Sequence, residues 1–82
     1  MTGRNRAVYS FHMAMRGYDR RQVDELVARI EGTLGRAPAA AVPVTAADVR
    51  AARFAKKFRG YAPAEVDEAL RDALGELERQ AP

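Results

Sequence analysis

Ser10 and His12 come closest to a catalytic pair in this 82-residue chain. Two positions apart on an extended segment they would share a face, and an imidazole beside a hydroxyl is the start of a nucleophilic site. Such a site also needs a third group to orient the base. These are the chain's one serine and one histidine, and nothing nearby supplies that partner. Metal chemistry is equally poorly provided for. With no cysteine and a single histidine, carboxylates would have to do the work. Asp24-Glu25 and Asp67-Glu68 are adjacent pairs, which point in different directions around a helix. They read as solvated acid in the first turns of helices, where the macrodipole favours it. No glycine-rich phosphate loop occurs. The expectation is a non-enzymatic protein with no metal and no cofactor.

The segment Arg50-Ala-Ala-Arg53-Phe54-Ala-Lys56-Lys57-Phe58-Arg59 is more suggestive. As a helix it would be basic, with Phe54 and Phe58 on one face. Three uses compete. The aromatics could be core with solvated cations around them. A basic face beside an exposed aromatic would suit anionic headgroups. A helix-turn-helix DNA-binding regulator is the third, but its recognition helix would carry Glu65, Asp67, Glu68 and Asp72 and repel phosphate. Charge alternates along the chain: residues 1–22 sum to +4, 23–40 to −1, 41–60 to +4 and 61–82 to −4. Such blocks make either two solvated faces or a surface attracted to acidic lipid or nucleic acid on one side only.

Positioning these residues is an internal repeat. Aligning Phe11 with Phe54 puts Arg16-Gly17-Tyr18 on Arg59-Gly60-Tyr61 and Val23-Asp24-Glu25 on Val66-Asp67-Glu68, an offset of 43 residues. Each copy reads as an element, a tight turn and a longer helix. Asp19 suits an N-cap, with Gln22 completing a capping box. Val23, Leu26, Val27, Ile30 and Leu34 then form one apolar stripe, ended by Gly32 or Gly35. In the second copy Pro63 and Glu65 open a helix whose stripe is Val66, Ala69, Leu70, Ala73, Leu74 and Leu77. Gly17 and Gly60 are read as left-handed corner residues, with Tyr18 and Tyr61 stapling each corner onto its helix. Thr45 and Asp48 make another capping box, predicting a helix over 46–58. Val8, Tyr9, Phe11, Met13 and Met15 predict an extended or irregular approach to the first corner. Residues 35–44, with two prolines and an alanine run, read as a semi-rigid linker.

Phe58-Arg59-Gly60-Tyr61, led by Pro43-Val44-Thr45-Ala46-Ala47-Asp48-Val49 and followed by Glu65-Val66-Asp67, resembles the N-terminal domain of DivIVA-type proteins, bacterial cell-division and polar-growth proteins with GpsB as a relative. The likeness covers about residues 43–74, with a weaker copy over about 9–34. It implies a parallel helical dimer whose corner meets the cytoplasmic membrane. Phe58 would be the inserted tip, Arg59 the headgroup cation, and Lys56 and Lys57 added attraction. Met15 and Arg16 are the first copy's equivalents. It accounts for an arginine that a corner alone does not require.

The expected fold is all-α: two helix–turn–helix repeats (1–34 and 45–82) joined by the 35–44 linker. The long helices would lie parallel or antiparallel, and no heptad run is long enough for an extended coiled coil. The two copies could pack on each other as an intrachain pseudo-dimer, or a homodimer could form. The partner would be a protein, this chain itself, or an anionic membrane. Without a spanning segment or signal peptide, the chain is expected in the cytoplasm, peripheral at the inner membrane face at a pole or septum.

Overall fold

A computed structural model describes residues 10–36 and 43–80. It corrects the all-α expectation. Three helices and a four-stranded antiparallel sheet make an α+β fold. The elements are β1 (Met13–Ala14), β2 (Gly17–Tyr18), α1 (Arg20–Thr33), α2 (Ala46–Ala51), β3 (Lys56–Lys57), β4 (Gly60–Tyr61) and α3 (Pro63–Gln80). Between α2 and α3 the chain is extended, so there is no helix-turn-helix in the second copy, and the DNA-binding alternative loses its architecture.

The helix expected over 46–58 stops at Ala51, because Ala52 turns to φ −63°, ψ 138°. Residues 52–57 then serve as an extended arm. Phe54 and Phe58 consequently do not share a helical face: Phe54 is half-buried against the core, whereas Phe58 is exposed. Phe11–Tyr18 forms the matching arm of the first copy, extended at Met13–Ala14 as its alternation predicts. Val8 and Tyr9 lie outside the described residues, as does most of the linker, at 37–42.

The sheet order is β1-β4-β2-β3. Strands of the same copy are never neighbours. The first strand of each copy pairs with the second strand of the other, Met13 with Tyr61 and Gly17 with Lys57, and the two second strands meet at Tyr18 and Tyr61. The two arms therefore cross. The register obeys the 43-residue offset: β1 maps to β3 and β2 to β4, so a pseudo-two-fold axis runs through the crossing.

Helix α1 starts on Asp19, whose carboxylate accepts from the Gln22 amide at 3.1 Å. The rest of the expected box does not form. Gln22 Oε1 instead accepts from the Ala55 amide at 2.7 Å, and the Asp19 amide donates to the Ala55 carbonyl at 2.8 Å. Tertiary pairing has taken both groups. The Thr45–Asp48 box is complete, at 3.1 and 3.0 Å. Gly35, at φ 83°, supplies the left-handed residue just after α1.

Leu26 and Ile30 of α1, Ala73 and Leu77 of α3, and Val44 and Val49 form the core, with Leu34, Phe54, Leu70 and Leu74 packed around it. Val23 and Val66 are fully buried nearer the crossing, and Val27 is half-buried. Ile30 and Ala73 occupy equivalent positions in the repeat and share this core. Arg36, just past α1, pairs with Glu76 near the end of α3 at 2.7 Å. Equivalent depths meet, so the two long helices run parallel.

Candidate functional site

The crossing is built from matched hydrogen bonds. The Ala62 amide donates to the His12 carbonyl at 2.8 Å, as the Asp19 amide does to the Ala55 carbonyl. The His12 amide donates to Glu65 Oε1 at 2.8 Å, as the Ala55 amide does to Gln22. Tyr18 donates its hydroxyl to Asp67 at 3.0 Å, and Tyr61 to Asp24 at 2.7 Å. The rings match as well: Phe11 lies on Tyr61 and Phe54 on Tyr18, both with centroids 5.2 Å apart. Each contact joins one copy to the other.

These contacts change the roles assigned to several residues. Gly17 and Gly60 are not left-handed, since Gly35 is the one described residue with positive φ. They are needed because two backbones touch. A Cβ on Gly17 would sit 2.4 Å from the Gly60 carbonyl carbon, and one on Gly60 would sit 2.2 Å from the Tyr18 carbonyl oxygen. Tyr18 and Tyr61 are not staples on their own helices but hydroxyl donors to the opposite one. Asp24 and Asp67 are therefore acceptors, not merely solvated acid. The signal was present in the sequence, since tyrosine and aspartate recur together in both copies, but only the exchange of arms reveals which copy each one serves.

The tyrosines carry a pH signature. Burial, then the hydrogen bond and charge of Asp67, push the Tyr18 hydroxyl above its ordinary value of 10.0. Tyr61 is raised first by its bond to Asp24 and then by burial. A raised pKa means that the neutral folded form is favoured. The contribution is complete below pH 10 and is lost as pH rises through the folded value. The crossing should therefore loosen above that point, detected as tyrosinate absorbance rising together with loss of circular dichroism. Tyr18→Phe/Tyr61→Phe should lose the coupling between the two signals, at a cost of about 0.5–1.5 kcal/mol per hydrogen bond at neutral pH. At the acid end, Asp19 is held below the usual carboxylate range chiefly by the Gln22 amide, and Glu65 by the His12 amide. Their contributions are present above the ordinary carboxylate pKa and fade as pH falls through the lowered values.

Between the strands of each arm lies a two-residue bend, Met15-Arg16 in the first copy and Phe58-Arg59 in the second. Both bends are outside the core. Phe58 is 73% exposed and Met15 66%. Arg16 and Arg59 are exposed and have no ion-pair partner among the described residues. Lys56 lies over the Tyr18 ring at 5.7 Å, and Lys57 pairs with Asp19 at 3.5 Å, so the two lysines flank the second bend with different freedom. Ser10 is exposed, and the His12 ring pairs with Glu65 at 2.9 Å. Among the described residues no three His, Asp or Glu side chains group as metal ligands, and no helix is long and apolar enough to cross a membrane.

No protein-family model, curated protein or solved structure matches this chain.

Proposed function

We propose that this chain is a small non-enzymatic docking module of the DivIVA type, associated with cell division or polar growth, whose second-copy bend binds the anionic face of the cytoplasmic membrane. The observation that carries the reading is the exposure of Phe58 next to Arg59, which has no ion-pair partner among the described residues. An anionic headgroup layer would take up both groups at once, the ring by burial at the acyl boundary and the cation by charge. Folding does not require either residue, since the core closes without them. The assignment to division or polar growth rests on the sequence resemblance over residues 43–74.

Flotation with phosphatidylglycerol/phosphatidylcholine vesicles tests this reading. The native chain should float with the mixed vesicles and much less with pure phosphatidylcholine. Burying Phe58 is worth about 1.5–3 kcal/mol and one cation about 1 kcal/mol. Phe58→Ala/Arg59→Ala should thus lower partitioning roughly a hundredfold with an unchanged circular dichroism spectrum. Equal flotation of the variant would sink the proposal, as would absence of native binding together with retention on duplex DNA at physiological salt.

A further inference from the structure

We infer that the arm of the first copy is a strap released by a proton on Glu65, while the arm of the second copy, held at the matching point by Gln22, stays seated.

Along their strands the two arms are held alike. Met13 and Ala14 of β1 pair with β4, as Lys56 and Lys57 of β3 pair with β2. The Ala62 amide donates to the His12 carbonyl and the Asp19 amide to the Ala55 carbonyl, both at 2.8 Å. The difference lies in the side chain that receives the amide returning from each arm. For His12 it is a carboxylate: Glu65 Oε1 accepts from the backbone at 2.8 Å, and Oε2 lies 2.9 Å from ring Nδ1. For Ala55 it is the carboxamide oxygen of Gln22, at 2.7 Å. A hydrogen bond to a carboxylate is strong while the charge is present and weakens once a proton neutralises it. A carboxamide accepts equally at neutral and mildly acid pH.

The surroundings of the two contacts reinforce the inequality. Glu65 shares its cleft with His12 of the arm and with Glu68 and Asp72 of its own helix, so the arm itself brings the basic group. The His12 amide, then the ring, holds the Glu65 carboxyl below its ordinary value of 4.5. What that contact adds to stability is therefore present above 4.5 and is lost as pH falls through the lowered value. Beside Gln22 the charged groups are Glu25, Arg29, Asp48 and Arg53, and Lys57 of the second arm pairs with Asp19 at 3.5 Å. Asp19 titrates too, yet the backbone bonds of Ala55 end on the Asp19 amide and on Gln22, not on a carboxylate. The second arm is also rooted in the core through Phe54 and, by way of α2, Val49. Among the described residues, none of 10–14 belongs to that core. Release of the first arm takes β1 out of the sheet, leaves β4 as its edge and uncovers the Tyr61 ring against which Phe11 lies.

Amide hydrogen exchange followed by NMR, as the pH is lowered from neutral, reads the two arms separately in the native chain. The His12 and Ala62 amides report the first arm, and the Ala55 and Asp19 amides the second. Protection at His12 and Ala62 is expected to fall about tenfold at a pH where Ala55 and Asp19 keep theirs. Exchanging the receiving side chains should exchange the behaviour. Glu65→Gln should hold the first arm in acid, and Gln22→Glu should make the second arm acid-labile. If Gln22→Glu does not fold, Glu65→Gln decides by itself. Loss of protection at all four amides together would overturn the strap, as would a Glu65→Gln protein whose first arm is released at the native pH.

Discussion

Gly60→Ala should abolish the folded state. The added methyl would meet the Tyr18 carbonyl oxygen at 2.2 Å and the Gly17 and Tyr18 carbonyl carbons at 2.8 Å. All three are backbone atoms of a strand pinned on both sides by pairing, so relief requires separating the arms. Separation also breaks the strand register and the bonds from Tyr18 to Asp67 and from Tyr61 to Asp24. A domain of this length is stable by about 4–12 kcal/mol, and the cost should exceed about 4 kcal/mol. Denaturant titration followed by circular dichroism measures it. Gly17→Ala should behave alike, since its nearest obstacles are also backbone, at 2.4–2.6 Å. Gly75→Ala is the control: the nearest atom is the mobile Arg79 guanidinium at 3.6 Å, and a helix interior should gain about 0.5–1 kcal/mol from alanine. A Gly60→Ala protein with the native midpoint would refute the crossed-arm account.

The second large effect is expected at Ile30→Ala, with a loss of about 2–5 kcal/mol and a melting temperature lower by roughly 10–30 °C. Ile30 is fully buried among Leu26, Val44, Val49, Ala73 and Leu77. Its counterpart across the pseudo-two-fold is Ala73, so this layer pairs one large side chain with one small one. Truncating the large member leaves alanine against alanine and a void that the backbone cannot close. Restoring the lost volume from the opposite helix, with Ile30→Ala/Ala73→Ile, should recover part of the loss; failure to recover any would mean that the two positions do not share a layer. Phe58→Ala removes an even larger side chain, yet its stability should stay within about 0.5 kcal/mol of native, because the ring packs on nothing in the core. The contrast separates residues that hold the fold from residues available for binding.

How much of this was legible beforehand depends on the range of the interactions. The caps of α1 and α2, the proline start of α3 and the buried stripes Val23-Leu26-Ile30 and Val66-Ala73-Leu77 follow from neighbours within a few residues. Helical periodicity encodes these directly. Residues 52–58 carry a helical signal for the same local reason, since Arg53, Ala55, Lys56 and Lys57 suit a helix, yet α2 ends at Ala51. Their extended state is imposed from more than 30 residues away, where Asp19, Gln22 and Tyr18 take up the arm. Gln22 shows the same competition in a single side chain, drawn from its own helix cap to the Ala55 amide.

The sequence by itself determined the repeat, its 43-residue offset, the two apolar stripes and the presence in each copy of an arginine, a glycine, a tyrosine and an aspartate. Tertiary structure decided what those residues do. Glycine became the point where two backbones touch, tyrosine and aspartate became partners across copies, and Phe58-Arg59 and Met15-Arg16 were left outside. The physical reason is that hydrogen-bonding groups in an extended arm have no partners within their own segment. Their partners must come from elsewhere, and periodicity within one segment carries no information about which segment provides them.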